Sequence, residues 1–291
     1  MNFQFNDHLI PLNQGHAVGR GWTTATQNKP RGVTWHWTAL RSLADCRRIL
    51  GGLATHASRV SSHYCVGQTF SEGTDRYVTL ENRSWHAGIG QKMRWDGKAS
   101  TNRTKGARAC IGIETCNDGY ERPGHPASSD WIEAVNTDSK WIMKIEPWPD
   151  EQFEMMVDVG KEIIGRWPDI GWRDHHGHHD ICPGYKQDVA GFPFARLLRE
   201  IYDDPSIPDI WSPFWMPKPR QRALIALGYD LGPTKDDGDF GNLSSRALLD
   251  FQKDTESYEI PHWTTFTCDK VFHALVRNGL DPTEVAETPL S

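Results

Sequence analysis

The pattern of apolar and polar residues predicts strands that alternate with helices over the first 200 residues. Residues 33–38 alternate strictly, which predicts a strand with Val33, Trp35 and Trp37 on one face and His36 on the other. Further strands are predicted at 60–66, 76–80 and 110–115, and helices after Ser42, from Asp150 to Trp167 and over 194–201. Strands interleaved with packing helices are typical of an α/β domain.

The amino-acid composition and the predicted secondary structure change after residue 203. Residues 204–219 are rich in Pro and Trp and are predicted to be a linker between a first domain, 1–203, and a second, 220–291. Helical periodicity over 220–229, 243–253 and 269–278 predicts a small three-helix module in the second domain. This module is poor in paired acid and base groups, so we expect the chemistry to reside in the first domain.

Two segments lack periodicity. Residues 1–30 are polar and irregular and are interpreted as a leading arm, and residues 117–149 are predicted to be a long loop. Loops of that length are usually functional or disordered.

The net charge and the N-terminal sequence indicate which binding partners and which cell compartment to expect. The 291 residues carry 32 Lys and Arg against 38 Asp and Glu, a net charge of -6, which does not favour binding to nucleic acid or to an anionic membrane. The N-terminus lacks the pattern of a secretory signal and no stretch is apolar enough to span a membrane, so we expect synthesis in the cytoplasm. The six cysteines form no CxxC pair and are expected to be reduced thiols, with a Cys110–Cys116 bridge as the alternative.

Residues 175–188, HHGHHDICPGYKQD, concentrate metal-ligand chemistry in one segment. Four histidines and two aspartates there favour a metal site, provided that a further ligand comes from elsewhere, and His36 could supply it. The alternative is a polar loop whose imidazoles form ordinary hydrogen bonds. Glu114 lies on the polar side of the 110–115 strand, where it is either a catalytic carboxylate or a surface residue.

Five segments in order resemble the zinc-dependent N-acetylmuramoyl-L-alanine amidases, a group that shares its fold with the peptidoglycan recognition proteins. The segments are TWHWTA at 34–39, VSSHY at 60–64, WHAG at 85–88, IGIE at 111–114 and GHHDICPGYKQD at 177–188. The resemblance covers roughly residues 30–200 and implies a mixed central sheet flanked by helices, with a zinc ion in a groove along one side.

Position by position, the resemblance implies a zinc ion held by His36, His178 and Asp188, with Glu114 and Lys186 as catalytic groups. It also suggests that the substrate groove is lined by His86 and Asn117, for which a structural hydrogen bond is the alternative. The neighbouring His175, His176 and His179 are alternative candidates for the second ligand.

The second domain resembles the three-helix peptidoglycan-binding module of cell-wall hydrolases, through residues 224–229, 237–241 and 247–252. The two resemblances together imply a monomeric, endolysin-like lytic enzyme that cleaves the bond between N-acetylmuramic acid and L-alanine of bacterial peptidoglycan after release from the cytoplasm. The alternatives are a binding protein without activity, a cytosolic amidase that recycles muropeptides, and a toxin delivered by a secretion machine.

Overall fold

The computed structural model describes residues 5–10, 29–50, 60–87, 92–93, 104–105, 110–233, 235–255 and 260–288. Most of the predicted leading arm and Gly88 of the 85–88 segment lie outside these residues.

A six-stranded, mostly parallel sheet forms the centre of the fold. The described residues contain ten strands: β1 Asn6–Asp7, β2 Gly32–Trp37, β3 Tyr64–Val66, β4 Thr74–Arg76, β5 Lys92–Met93, β6 Thr104–Lys105, β7 Cys110–Thr115, β8 Ile132–Val135, β9 Ile142–Ile145 and β10 His175–Gly177. The order across the central sheet is β1-β4-β3-β7-β2-β10, and the β3–β4 pair alone among these neighbours is antiparallel.

Eight α-helices accompany the strands in the described part of the chain. They are α1 Leu43–Leu50, α2 Asp150–Arg166, α3 His178–Ile181, α4 Phe194–Ile201, α5 Pro217–Ala226, α6 Asn242–Asp254, α7 Thr265–Arg277 and α8 Pro282–Glu287. None of them is both long enough and apolar enough to cross a lipid bilayer. The predicted α/β class with a mixed central sheet is confirmed.

The alternation in β2 has the predicted consequence for packing. Val33, Trp35 and Trp37 enter the main core, together with apolar residues of α2 and α4. The other face of β2 is also covered, and His36 is only 1% exposed. Because β2 lies between two parallel neighbours, both of its faces are buried, as is usual for such strands.

Several of the predicted elements are corrected by the structure. The strand predicted at 60–66 is limited to Tyr64–Val66. The strand predicted at 76–80 is Thr74–Arg76, because the chain leaves the sheet at Tyr77, whose N–H donates to the carbonyl of His63. The predicted loop 117–149 contains the β8–β9 hairpin, whose four-residue strands are too short to give a clear period. Helix α2 begins at Asp150 as predicted but ends at Arg166, one residue before the predicted Trp167.

The C-terminal part has a second core, built mainly from α5, α6 and α7. A fourth, short helix, α8, follows the three predicted ones and contacts α5. Ile207, Ile210 and Trp211, which lie in the predicted linker, are buried within the main core.

Candidate metal centre and active site

Two histidines and an aspartate converge on one point beside the central sheet. His36 lies on β2, and His178 is the first residue after β10, which pairs in parallel with β2. Their Nδ1 atoms are 2.9 Å apart, and Asp188 Oδ2 lies 3.2 Å from His36 Nδ1 and 3.0 Å from His178 Nδ1. The chain returns to this point because the His179 N–H donates to the carbonyl of Asp188.

This geometry fits a tetrahedral metal ion. Zinc bonds of about 2.0–2.1 Å to nitrogen and oxygen place neighbouring ligand atoms about 3.3 Å apart, close to the observed separations. All three residues are buried, and the group could hold a metal ion. Three protein ligands would leave one of four positions open, which is the arrangement of catalytic rather than structural zinc sites.

The charges of the three side chains are strongly coupled. Burial by itself would lower the pKa of His178, but the carboxylate of Asp188 raises it to about 9. Burial would likewise raise the pKa of Asp188, and contacts with His178 and His36 hold it well below its ordinary value. Burial lowers the pKa of His36 to about 4. Without a metal ion, Asp188 is therefore an anion paired with protonated His178, and His36 is neutral. A metal ion bound at this point would take the place of the His178 proton.

His86 determines which nitrogen of His36 faces the centre. The Nε2 atom of His86 lies 3.1 Å from the carbonyl of Cys110, which can only accept, so this nitrogen carries the proton. In the neutral ring His86 Nδ1 is then an acceptor, and His36 Nε2 donates to it over 2.9 Å. The lone pair of His36 is thereby left on Nδ1, directed at His178 and Asp188.

Gly112 provides the space for this arrangement. A Cβ atom at Gly112 would lie 2.2 Å from Cγ of His86, so only glycine allows the ring to lie over β7. The N–H of Gly112 also donates to His63 Nδ1 over 3.0 Å. Gly112 therefore lets His86 reach both β2 and β7.

Glu114 lies beside the three converging side chains. It is the register partner of His36 on the neighbouring strand, so both side chains project from the same face of the sheet. Its Oε1 atom is 3.9 Å from His36 Nδ1, and its side chain is 12% exposed. Burial and the charge of Asp188 raise the pKa of Glu114 well above its ordinary value. A carboxyl group tuned in this way can accept and return a proton near neutral pH.

Lys186 is half-buried on the same loop as Asp188. Its Nζ lies 5.3 Å from the ring centre of Tyr185, and no carboxylate of the described residues forms an ion pair with it. Its positive charge opposes the rise in the pKa of Glu114. A cation that is not already neutralised can interact with charge that develops on a substrate.

The other three histidines of the segment have different contacts. His175 lies 3.2 Å from Trp35 Nε1 and 3.0 Å from the Tyr202 hydroxyl. His176 packs against Phe266, and His179 lies 3.7 Å from Asp180. Among the four, the structure brings His178 to His36 and Asp188.

Asn117 is fully buried. Its amide donates to the carbonyl of Glu146 and accepts from the N–H of Gly119. These bonds hold the turn after β7. The structure thus gives Asn117 and His86 supporting roles, and contact of either one with a substrate stays a prediction.

The family model of the N-acetylmuramoyl-L-alanine amidases matches residues 26–189, a range that includes all of the converging side chains. The chain belongs to this family.

Similar proteins include further amidases. The chain is 31% identical over 123 residues to the 1,6-anhydro-N-acetylmuramyl-L-alanine amidase AmpD of Enterobacter cloacae, a match over 42% of this chain and 48% of that protein. The chain thus spans about half the length of this curated relative. The amidase AmiD of E. coli, solved with an anhydro-N-acetylmuramic acid peptide, is 20% identical with a TM-score of 0.49, over 90% of this chain and 95% of AmiD. AmpDh3 of Pseudomonas aeruginosa is 21% identical with a TM-score of 0.46, over 88% and 95% of the two chains.

Two features that support the candidate site were not predicted. A glycine between two isoleucines of a strand is the one local signal of close packing at Gly112. The second feature is Asp180, two residues after His178. It accepts hydrogen bonds from both the N–H and the hydroxyl of Thr265, which is 85 residues away in the sequence. No local pattern indicates a contact of that range.

Proposed function

We propose that this protein is a zinc-dependent amidase that hydrolyses the bond between N-acetylmuramic acid and the L-alanine of the peptidoglycan stem peptide. The observation that carries the proposal is the convergence of His36, His178 and Asp188 on one point, with the carboxylate of Glu114 beside it. Two imidazoles and one carboxylate form a ligand set typical of catalytic zinc.

Zinc, Glu114 and Lys186 would have different roles in the hydrolysis. When bound, zinc supplies a Lewis acid that polarises the scissile carbonyl and lowers the pKa of water to about 7. Glu114 accepts the proton of the attacking water and passes it to the nitrogen of the leaving amine. Lys186 stabilises the negative charge that develops on the carbonyl oxygen.

Two exposed aromatic side chains support a glycopeptide as the substrate. Trp85 is 42% exposed and Tyr185 is 69% exposed, and they are the sequence neighbours of His86 and Lys186. Flat aromatic faces with a polar end suit the packing of sugar rings and peptide.

We further propose that the natural substrate is the intact wall and that the protein acts as an endolysin, with residues 220–291 as a wall-binding module. A tethered binding module would raise the effective concentration of the enzyme at an insoluble polymer. The second candidate is a soluble 1,6-anhydro muropeptide, which the name of the Enterobacter cloacae relative favours.

Purified protein incubated with sacculi and, separately, with anhydro muropeptide would test both proposals. We expect new L-alanine amino termini from sacculi, unchanged reducing sugar, and loss of the activity with a chelator that added zinc reverses. New reducing ends would indicate a glycosidase and contradict the amidase. Turnover of the muropeptide alone would retain the amidase and contradict the endolysin.

A further inference from the structure

Three buried thiols meet on the face of the central sheet that also carries Glu114, and they share no ligand with the histidine centre. Cys46 comes from α1, Cys65 from β3, and Cys116 directly follows β7. The Sγ atom of Cys116 lies 3.3 Å from that of Cys46 and 3.8 Å from that of Cys65, and all three sulfur atoms lie within 4.8 Å of one another.

Packing alone explains the burial of these thiols but not their convergence. A free cysteine behaves as a small apolar residue, so burial of each one by itself needs no further explanation. Here three separate elements each direct a sulfur atom to the same point, which is enclosed by apolar neighbours such as Leu43 and Val78. All three residues are free thiols.

Two of the sulfur separations, 3.3 and 3.8 Å, are close to those of a metal thiolate site, and the third is below 4.8 Å. Zinc–sulfur bonds of about 2.3 Å place the sulfur atoms of a tetrahedral site about 3.8 Å apart. Clustered cysteine sulfur selects soft ions such as Zn²⁺ and Cu⁺. A trigonal Cu⁺ site needs only the three sulfur atoms, and Zn²⁺ would take one additional donor.

We propose that Cys46, Cys65 and Cys116 form a second metal site, which binds one thiophilic d¹⁰ cation. The site is separate from the histidine centre and does not depend on the proposed amidase activity.

The position of this site gives it a structural function. Cys65 is the register partner of Glu114, and Cys116 is two residues beyond Glu114 on the same strand face. An ion bound there joins α1 to two neighbouring strands, one of which carries Glu114. It therefore stabilises the part of the sheet that positions this carboxylate.

Cobalt substitution tests the proposal without an activity assay. The full chain is reduced, stripped of metal and reloaded with Co²⁺ without oxygen, because thiolate ligation gives an intense charge-transfer absorption that histidine and carboxylate ligation does not. We expect this absorption in the wild type and in His36→Ala, where the histidine centre is disrupted. We expect its loss in Cys65→Ser, whereas the matched control Cys268→Ser, which alters a buried cysteine of α7, keeps it.

Native mass spectrometry of zinc-loaded protein and an anaerobic Cu⁺ titration against a competing chelator complete the test. One zinc ion more in the wild type than in Cys65→Ser supports a zinc site, and one tightly bound Cu⁺ without cobalt charge transfer supports a copper site. Neither cobalt charge transfer nor Cu⁺ uptake in the reduced, folded wild type would overturn the proposal. A disulfide between Cys46 and Cys116 that persists after reduction would also overturn the proposal. It would be detected as a protein mass lower by two hydrogen atoms. Absence of binding in the wild type overturns the proposal whatever the variants do. If Cys65→Ser does not fold, Cys116→Ser takes its place as the variant that locates the site.

Discussion

Replacement of His86 by Phe should weaken metal binding although His86 is not a ligand in the proposed site. The substitution keeps an aromatic ring over Gly112 but removes the acceptor that fixes the proton of His36 on Nε2. His36 could then rotate or carry its proton on Nδ1, where the proton blocks the metal.

The size of the effect follows from the hydrogen bonds that are lost. His36 is 1% exposed, so its Nε2–H would lose a 2.9 Å hydrogen bond without access to water. An unsatisfied buried donor costs about 1–3 kcal/mol. Loss of a partner that orients a ligand typically lowers metal affinity by about 10–100-fold. The two ranges agree, since about 1.4 kcal/mol corresponds to a tenfold change.

Zinc affinity would be measured by competition with a chromophoric chelator for the wild type, His86→Phe and His86→Gln. The Gln amide oxygen can accept from His36, so we expect this variant to recover part of the affinity. Gly112→Ala should resemble His86→Phe, because the new Cβ displaces the His86 ring. Unfolding of the metal-free proteins serves as the control for stability. Zinc affinity of His86→Phe and Gly112→Ala indistinguishable from wild type would refute the reasoning.

Three further predictions concern catalysis, the dependence of stability on pH, and the contact between Thr265 and Asp180. Glu114→Gln should abolish hydrolysis yet leave zinc bound, because the amide cannot accept the proton of water; zinc content and turnover would be measured together. Burial lowers the pKa of His63 to about 4 and that of His175 to about 3. In the unfolded chain both histidines have a pKa of about 6.5, so below that pH the unfolded state binds protons that the folded state does not. Protonation therefore favours unfolding, and His63 and His175 should each lower the free energy of unfolding of the metal-free protein by about 2 kcal/mol between pH 7 and pH 5. Thr265→Val removes a hydrogen bond to buried Asp180 and should lower the free energy of unfolding by about 1–3 kcal/mol and weaken zinc binding.

Each of these predictions has its own control. Glu114→Asp shortens the carboxylate without removing it and should retain some turnover, and full activity of Glu114→Gln would exclude Glu114 from the mechanism. A free energy of unfolding that is constant between pH 7 and pH 5 would contradict the assignment of neutral, buried His63 and His175. Thr267→Val alters a hydroxyl of the same helix that donates to the carbonyl of His262 and not to Asp180, so it should leave zinc affinity unchanged.

Local sequence patterns were sufficient to predict the helices and strands whose apolar residues recur with a clear period. The alternation in β2 identified both its position and the face that carries His36, because side chains alternate across a strand whatever surrounds it. The density of ligand-type residues at 175–188 indicated a metal site, and the family motifs selected Asp188. Weak periodicity explains the missed β8–β9 hairpin, whose strands have four residues each.

The sequence by itself therefore determined the fold class, the family and the candidate ligands, since these depend on residue types and spacing along one chain. Tertiary structure alone decided how distant side chains combine: that His86 orients His36, that Thr265 holds Asp180 beside the ligand loop, and that three scattered cysteines meet. The physical reason is that hydrogen bonds and metal ligation depend on distances of about 2–3 Å. Strand register and helix packing set such distances between residues that can lie tens of positions apart.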